Sequence, residues 1–255
     1  MIEDTAVRKQ RAATARREHA NSIKDSPKDV YLSACARIAE AFVPDGYRFA
    51  KSGPHLTRKA GPFAFTVSFQ SSRHNIAGQH VALWIHANVK SPVLKKWRVT
   101  NQAVGRVDDF TAGGQIGNLI ANHSWMEWEL ANRDEREMQI ADAVETIRKI
   151  VIPYFELFEQ TTQLCDHLQD HDLPGMDIWG AFDFVACFSS LPAARRTAVR
   201  FLERHTALVR EYREEVEQIR KNRQLQVGWR GSYAKFLAAA SIHFELGDFS
   251  DPELA

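Results

Sequence analysis

Two runs of strict alternation constrain this chain more than any other feature. In FAFTVSFQ, Phe63, Phe65, Val67 and Phe69 alternate with Ala64, Thr66, Ser68 and Gln70. In QHVALWIHANV, Val81, Leu83, Ile85, Ala87 and Val89 alternate with His80, Ala82, Trp84, His86 and Asn88. A period of two puts each set on its own face of a strand. One apolar face and one mixed face predict half-buried antiparallel strands. Shorter strand-like runs, YRFAKSG and HLTRKAG, come before them, punctuated by Ser52-Gly53-Pro54 and Gly61-Pro62. VGRVDDF and WMEWEL read as further strands, and TAGGQIGN between them reads as loop. IGNLIANH fits either one helical turn or an edge strand.

Helical periodicity flanks this strand-rich stretch. Val30, Tyr31, Ala34, Ile38, Ala41 and Phe42 recur at three- and four-residue steps, with Ser26 placed to cap and Pro27 at the first helical position. SPVLKKWRV predicts a short helical turn. Asn132 is placed to cap a helix whose first turns carry Asp134, Glu135 and Glu137. That explains the carboxylates, because they face the positive end of the helix dipole. Ala141, Val144, Ile147 and Val151 continue as an apolar ladder until Pro153, where the helix must kink or restart. Beyond DHDLPG the pattern is helical throughout. MDIWGAFDFVACFSS is apolar nearly all round and is expected to be buried. A seam through Val199, Leu202, His205 or Thr206, Val209, Tyr212, Val216 and Ile219 predicts one long helix, broken at Gly228 and Gly231.

The fold expected is α+β: an antiparallel β-sheet packed by helices, followed by a C-terminal α-helical region with one long helix. Residues 1–27 form a polar, basic N-terminal arm, residues 28–170 the sheet domain, and residues 171–255 the helical region docked on it. The segments ARIAEAFVPDGYRFAKSG, FTVSFQSSR and WELANRDEREMQIADAVETIRKIVIPYFELF together resemble a bacterial family known as domain of unknown function 4304. The resemblance covers about residues 28–165. It implies an antiparallel sheet with an opening helix and a closing helix that ends in a proline-aromatic step. It implies no activity and no catalytic residue, and the polar stretch QSSRHN departs from the family pattern.

Totals exclude several classes. The 255 residues carry 33 Lys and Arg against 32 Asp and Glu, a net charge of +1, so charge alone predicts no polyanion partner. Its distribution is uneven. Residues 121–172 hold twelve acidic and four basic residues, and residues 193–235 hold five acidic and eleven basic. Segments of opposite sign can satisfy each other within the fold or between copies. No run approaches the roughly 20 apolar residues a membrane helix needs, and no secretory signal is expected. Cys35, Cys165 and Cys187 are scattered and odd in number, which points to a reducing, cytoplasmic setting.

Candidate chemistry is sparse. Gln70, Ser72, Arg73 and Asn75 lie on a strand-to-strand connection suited to binding. His80, Trp84 and His86 share one strand face that could anchor a partner if open; the C-terminal helices, which must bury their apolar surfaces, are expected to cover it. The serine-hydrolase elbow is absent, and His74 beside the two serines does not make a nucleophile. Trp125 and Trp128 read as core or rim aromatics. His167 and His171, four apart on a helix, could hold a divalent ion with Asp170. No cofactor is expected. The leading expectation is a non-enzymatic protein-binding or regulatory role, such as a bacterial immunity or accessory subunit, with a protein partner or a second copy. One alternative is a metal-dependent hydrolase built on His167 and His171. The other is nucleic-acid binding through Arg195, Arg196, Arg200 and Arg204, which the composition does not favour.

Overall fold

The computed structural model describes residues 26–102, 104–121, 124–222 and 231–251. The expected N-terminal arm, up to residue 25, and the helix breaker Gly228 lie outside them. In chain order the elements are α1 (Pro27–Glu40), β1 (Arg48–Ala50), β2 (His55–Ala60), β3 (Phe63–Ser71), β4 (Ala82–Lys90) and α2 (Pro92–Thr100). They continue with β5 (Phe110–Gln115), a 3-10 turn (Ile116–Leu119), β6 (Trp128–Glu129), α3 (Arg133–Thr146), α4 (Ile152–Glu159) and α5 (Thr161–Asp170). The remainder is α6 (Ile178–Phe188), α7 (Leu191–Arg204), α8 (Val209–Asn222) and α9 (Tyr233–His243).

The sheet follows the order β1-β2-β3-β4-β5, with β6 also paired to β4. β1 and β2 form an antiparallel hairpin with Phe49 opposite Leu56. β4 and β6 are antiparallel, with Leu83 opposite Trp128. The chain is therefore α+β, as the alternation predicts. No helix among the described residues is long and apolar enough to cross a membrane.

The chain divides into two compact units that interleave in sequence, whereas the sequence places its boundary near residue 170. The first holds residues through Thr57, Val67–His86 and Trp125–Lys149; the second holds Arg58–Thr66, Ala87–Ser124 and Ile150 onward.

In the first unit α1 begins as expected. Ser26 Oγ accepts from Asp29 N at 3.1 Å, and Pro27 gives up an amide that would have no partner there anyway. Its apolar stripe, Val30, Tyr31, Ala34, Cys35 and Ile38, is buried. Tyr31 Oη donates to the Phe69 carbonyl at 2.7 Å, fixing α1 against β3. Asn132 caps α3 by accepting from Asp134 N at 3.1 Å. Arg37 on α1 pairs with Glu137 on α3, and Trp128 Nε1 donates to Asp142 of α3 at 2.8 Å. Both helices thus lie on the side of the sheet where Val67, Phe69, Leu83 and Ile85 are buried.

In the second unit Phe63 and Phe65 enter an aromatic core. Phe65 stacks on Phe155 at 4.8 Å, and Phe63 meets Phe158 and Phe184 at 5.9 and 6.0 Å. Each such ring contributes about 1.5–3 kcal/mol by leaving water. α6 is buried from Ile178 through Ala186, as its all-round apolarity predicts. Its one charge, Asp183, is buried beside Arg98 of α2, Nε to Oδ2 at 2.7 Å.

Several expectations are corrected. VGRVDDF is not a strand: β5 starts at Phe110 and runs through FTAGGQ, the stretch expected to be loop. The backbone before it is committed elsewhere, since Arg98 Nη1 donates to the carbonyls of Asp108 and Phe110 at 3.0 and 2.8 Å. The glycine that weakens the strand signal is there for close approach. Gly113 has φ +140°, and a Cβ on it would lie 2.2 Å from the Ala87 carbonyl oxygen. WMEWEL keeps ladder pairing at Trp128 and Glu129 alone. SPVLKKWRV is longer than one turn, a nine-residue helix capped by Ser91. IGNLIANH resolves to the 3-10 turn.

The single long helix is also corrected. The seam is carried by α7 and α8, separated at His205 (φ −119°, ψ 55°) and a 3-10 turn, Thr206–Leu208. The His205 ring bonds the Phe201 carbonyl at 2.9 Å, a local side-chain bond that competes with continuation of the helix. At Pro153 the expected restart is present. Pro153 has no amide for the carbonyl four residues back, and the backbone widens to a π turn over Ile147–Val151 before α4 begins.

Candidate protein-binding face

β4 and β6 place side chains from distant parts of the chain on the side of the first unit's sheet away from α1 and α3. In this register Ala82 lies opposite Glu129. Carried outward, it sets Trp84 opposite Glu127 and His86 opposite Trp125, and the side-chain contacts agree. Trp84 Nε1 donates to Glu127 Oε2 at 2.6 Å. The Trp84 and Trp125 rings meet edge to face at 5.5 Å, and Trp125 meets His86 the same way at 6.3 Å. Trp125 is 56% exposed, Glu127 is exposed, and Trp84 and His86 are half-buried.

His80 extends this strip. Its Nδ1 lies 2.5 Å from Glu129 Oε2; a carboxylate can only accept, so Nδ1 carries the proton. Glu129 Oε1 also accepts from Val81 N and Ala131 N at 2.7 and 2.8 Å. Partial burial pushes the Glu129 pKa up, but the two amides and the His80 ring outweigh it and hold the group below its ordinary value. His86 differs. Burial lowers its pKa, and its Nε2 is buried with no hydrogen-bond partner among the described residues. It is a neutral imidazole under the edge of Trp125.

The other predicted binding residues are placed differently. Gln70, near the end of β3, is exposed. Ser72, Arg73 and Asn75 are spent on the connection itself. Ser72 Oγ accepts from His74 N at 3.1 Å, and Arg73 Nε donates to His74 Nε2 at 3.3 Å. Asn75 bridges Ser71 Oγ and Ala82 N at 2.7 and 3.0 Å. These bonds shape the connection between β3 and β4. The structure thus groups His80, Trp84 and His86, and adds Trp125, Glu127 and Glu129, which the sequence reading left out. The signal for them was present in SWMEWEL, where Trp125, Glu127 and Glu129 alternate with Met126, Trp128 and Leu130.

The proposed metal and nucleic-acid residues lie in the second unit. The His167 and His171 rings are 4.9 Å apart, although α5 ends at Asp170 and His171 has left the helix with φ −135°. Burial, then the neighbouring His171, lowers the His167 pKa. Asp170 lies 3.7 Å from Arg200. Among the described residues no group of three or more His, Cys, Asp or Glu side chains is placed to hold a metal. The arginines of α7 meet the chain's own acidic segment. Arg196 donates to Gln169 at 2.7 Å, and Arg204 to Asp172 and to the Asp170 carbonyl, each at 2.8 Å. Arg195 is 8% exposed and donates to the carbonyls of Leu246, Asp248 and Asp251.

In comparisons with known proteins, no curated protein and no solved structure matches the chain. A family model matches residues 38–157, a span that contains the Trp84 face and leaves out His167 and His171. Over those residues the chain is similar to the family described as Domain of unknown function (DUF4304).

Proposed function

We propose that this chain is a non-enzymatic binding or regulatory protein whose DUF4304-like domain engages a protein partner through the Trp84 face. One observation carries the reading: Trp125 exposes 56% of its surface beside a second tryptophan held in place by Glu127. Large rigid aromatics lose little entropy on contact and concentrate interface energy, so a pre-positioned pair suits a partner surface. A role as an immunity or accessory subunit fits such a face, and so does a second copy of the chain as the occupant. The three free cysteines suit a reducing compartment such as the cytoplasm.

The two alternatives have less support. A hydrolase at His167 and His171 needs a third ligand, and Asp170 is drawn to Arg200. A phosphate-binding helix needs unengaged cations, and Arg195, Arg196 and Arg204 are already bonded within the protein. The deciding experiment compares wild type with Trp125→Ala, each tagged at the C-terminus and recovered from the native host. A stoichiometric partner, or a homodimer by sedimentation, should be present with wild type and lost with the variant. Retention by both proteins would remove the face from the function. Monomeric wild type with nothing bound would remove the reading.

A further inference from the structure

The chemistry of the Trp84 face restricts what can cover it. We propose that the partner presents an arginine side chain, stacked on Trp125 and paired with Glu127; this rests on the protein-binding reading above.

The charge on the face is one-sided. Between His80 and His86, and between Ser124 and Leu130, the sequence places two glutamates and no lysine or arginine. Glu129 is already held by His80 and two amides. Glu127 is exposed and uses Oε2 for the Trp84 indole, and its other oxygen takes no partner among the described residues. A purely apolar occupant covering Trp125 would strip water from that carboxylate and leave it unpaired, which is costly. An acidic occupant would meet it with like charge. A cationic donor removes both penalties.

The rings favour the same choice. Aromatic faces carry negative potential and attract cations. Neutral His86, beneath the edge of Trp125, adds no opposing charge. Arginine fits better than lysine because its planar guanidinium can lie on an indole while its fork reaches a carboxylate.

The test uses the full chain and two short probes, acetyl-Gly-Arg-Gly-amide and the same peptide with neutral citrulline in place of arginine. Binding is followed by the indole N–H resonance of Trp84, identified by its loss in Trp84→Phe. The arginine peptide should move this signal saturably at millimolar concentration, and the citrulline peptide should bind at least tenfold more weakly. Glu127→Gln should weaken the arginine peptide at least fivefold, and Trp125→Ala should abolish the shift. Equal responses to the two peptides, or arginine binding unchanged in Glu127→Gln, would overturn the proposal. So would no response to arginine while Trp125→Ala still releases the host partner, a result that leaves the protein-binding reading standing. If Trp125→Ala changes neither peptide nor partner binding, both fall.

Discussion

Arg98 and Asp183 form an ion pair in which both side chains are essentially out of water, 0% and 1% exposed, with Nε 2.7 Å from Oδ2. Nη1 of the same guanidinium holds the carbonyls of Asp108 and Phe110. One side chain thus ties α2 and the entry to β5 onto α6. Removing Arg98 strands the buried Asp183, and removing Asp183 leaves the buried Arg98 with only the more distant Asp108 carboxylate, 3.5 Å away; losing one partner of a buried pair costs about 3–5 kcal/mol. Asp183→Asn and Arg98→Met should each lower the unfolding free energy by about that amount, read as a lower urea midpoint. The double variant Arg98→Met with Asp183→Leu should be less destabilised than the sum of the two single changes. Simple additivity would show that the pair does not act as a unit.

The same pair has a pH signature. Burial raises the Asp183 pKa to about 6, and Arg98 opposes that rise without cancelling it. The folded protein therefore holds this proton more tightly than the unfolded chain, whose aspartates titrate near 3.8. The stability from this group is full below 3.8 and is lost as pH rises through about 6. The stability gap between wild type and Asp183→Asn should shrink from pH 4 to pH 6 and then stay level, as read by urea unfolding across that range. A gap that widens over the window would mean Arg98 prevails over burial.

The first unit should respond to acid in the opposite sense. Burial lowers the His86 pKa below 6.5, so the unfolded chain takes up this proton first. Its contribution is present above pH 6.5 and fades as pH falls through the lower folded value. Glu129, held below 4.5 on balance by its amides and His80, adds a second loss at more acidic pH. Wild type should lose stability between pH 7 and pH 5.5 by an increment that His86→Gln lacks. Matching slopes in the two proteins would show that His86 titrates normally in the fold.

What could be read from residues alone depended on whether the cause was local. The alternation of Phe63 through Gln70 predicts both the strand and its buried side, because side-chain direction follows from the backbone period. Ser26 and Asn132 predict their helix starts for the same reason, since a cap contacts residues two or three positions away. β5 was hidden because one of its glycines, Gly113, serves a distant neighbour. Gly113 makes room for the Ala87 carbonyl and donates to Gly175 at 2.8 Å. Half of the candidate site was legible, since Trp84 and His86 share a strand face. The other half arrives by pairing with residues about forty positions later, a register that no local pattern specifies. Gly113→Ala should therefore be far more harmful than an ordinary exposed glycine change. The strained φ and the carbonyl clash together cost at least about 2 kcal/mol, measurable as a drop in the thermal midpoint. A change within a few tenths of a kcal/mol would show that β5 can move away from β4.

Trp125 and Trp128 are three residues apart and should behave as opposites. Trp128 is 3% exposed on the side facing α3 and donates to Asp142 at 2.8 Å. Replacing it with alanine deletes a buried ring and strands an acceptor, at a cost of about 3–5 kcal/mol. Trp125 is 56% exposed, and its ring touches Trp84 and His86 at the surface. Trp125→Ala should change stability by less than about 1 kcal/mol, as surface substitutions generally do, while partner retention falls at least tenfold. Urea melts of the two variants, run beside recovery of the partner, separate the roles. A Trp125→Ala protein as unstable as Trp128→Ala would mark Trp125 as part of the core, and the face would then owe its tryptophans to folding.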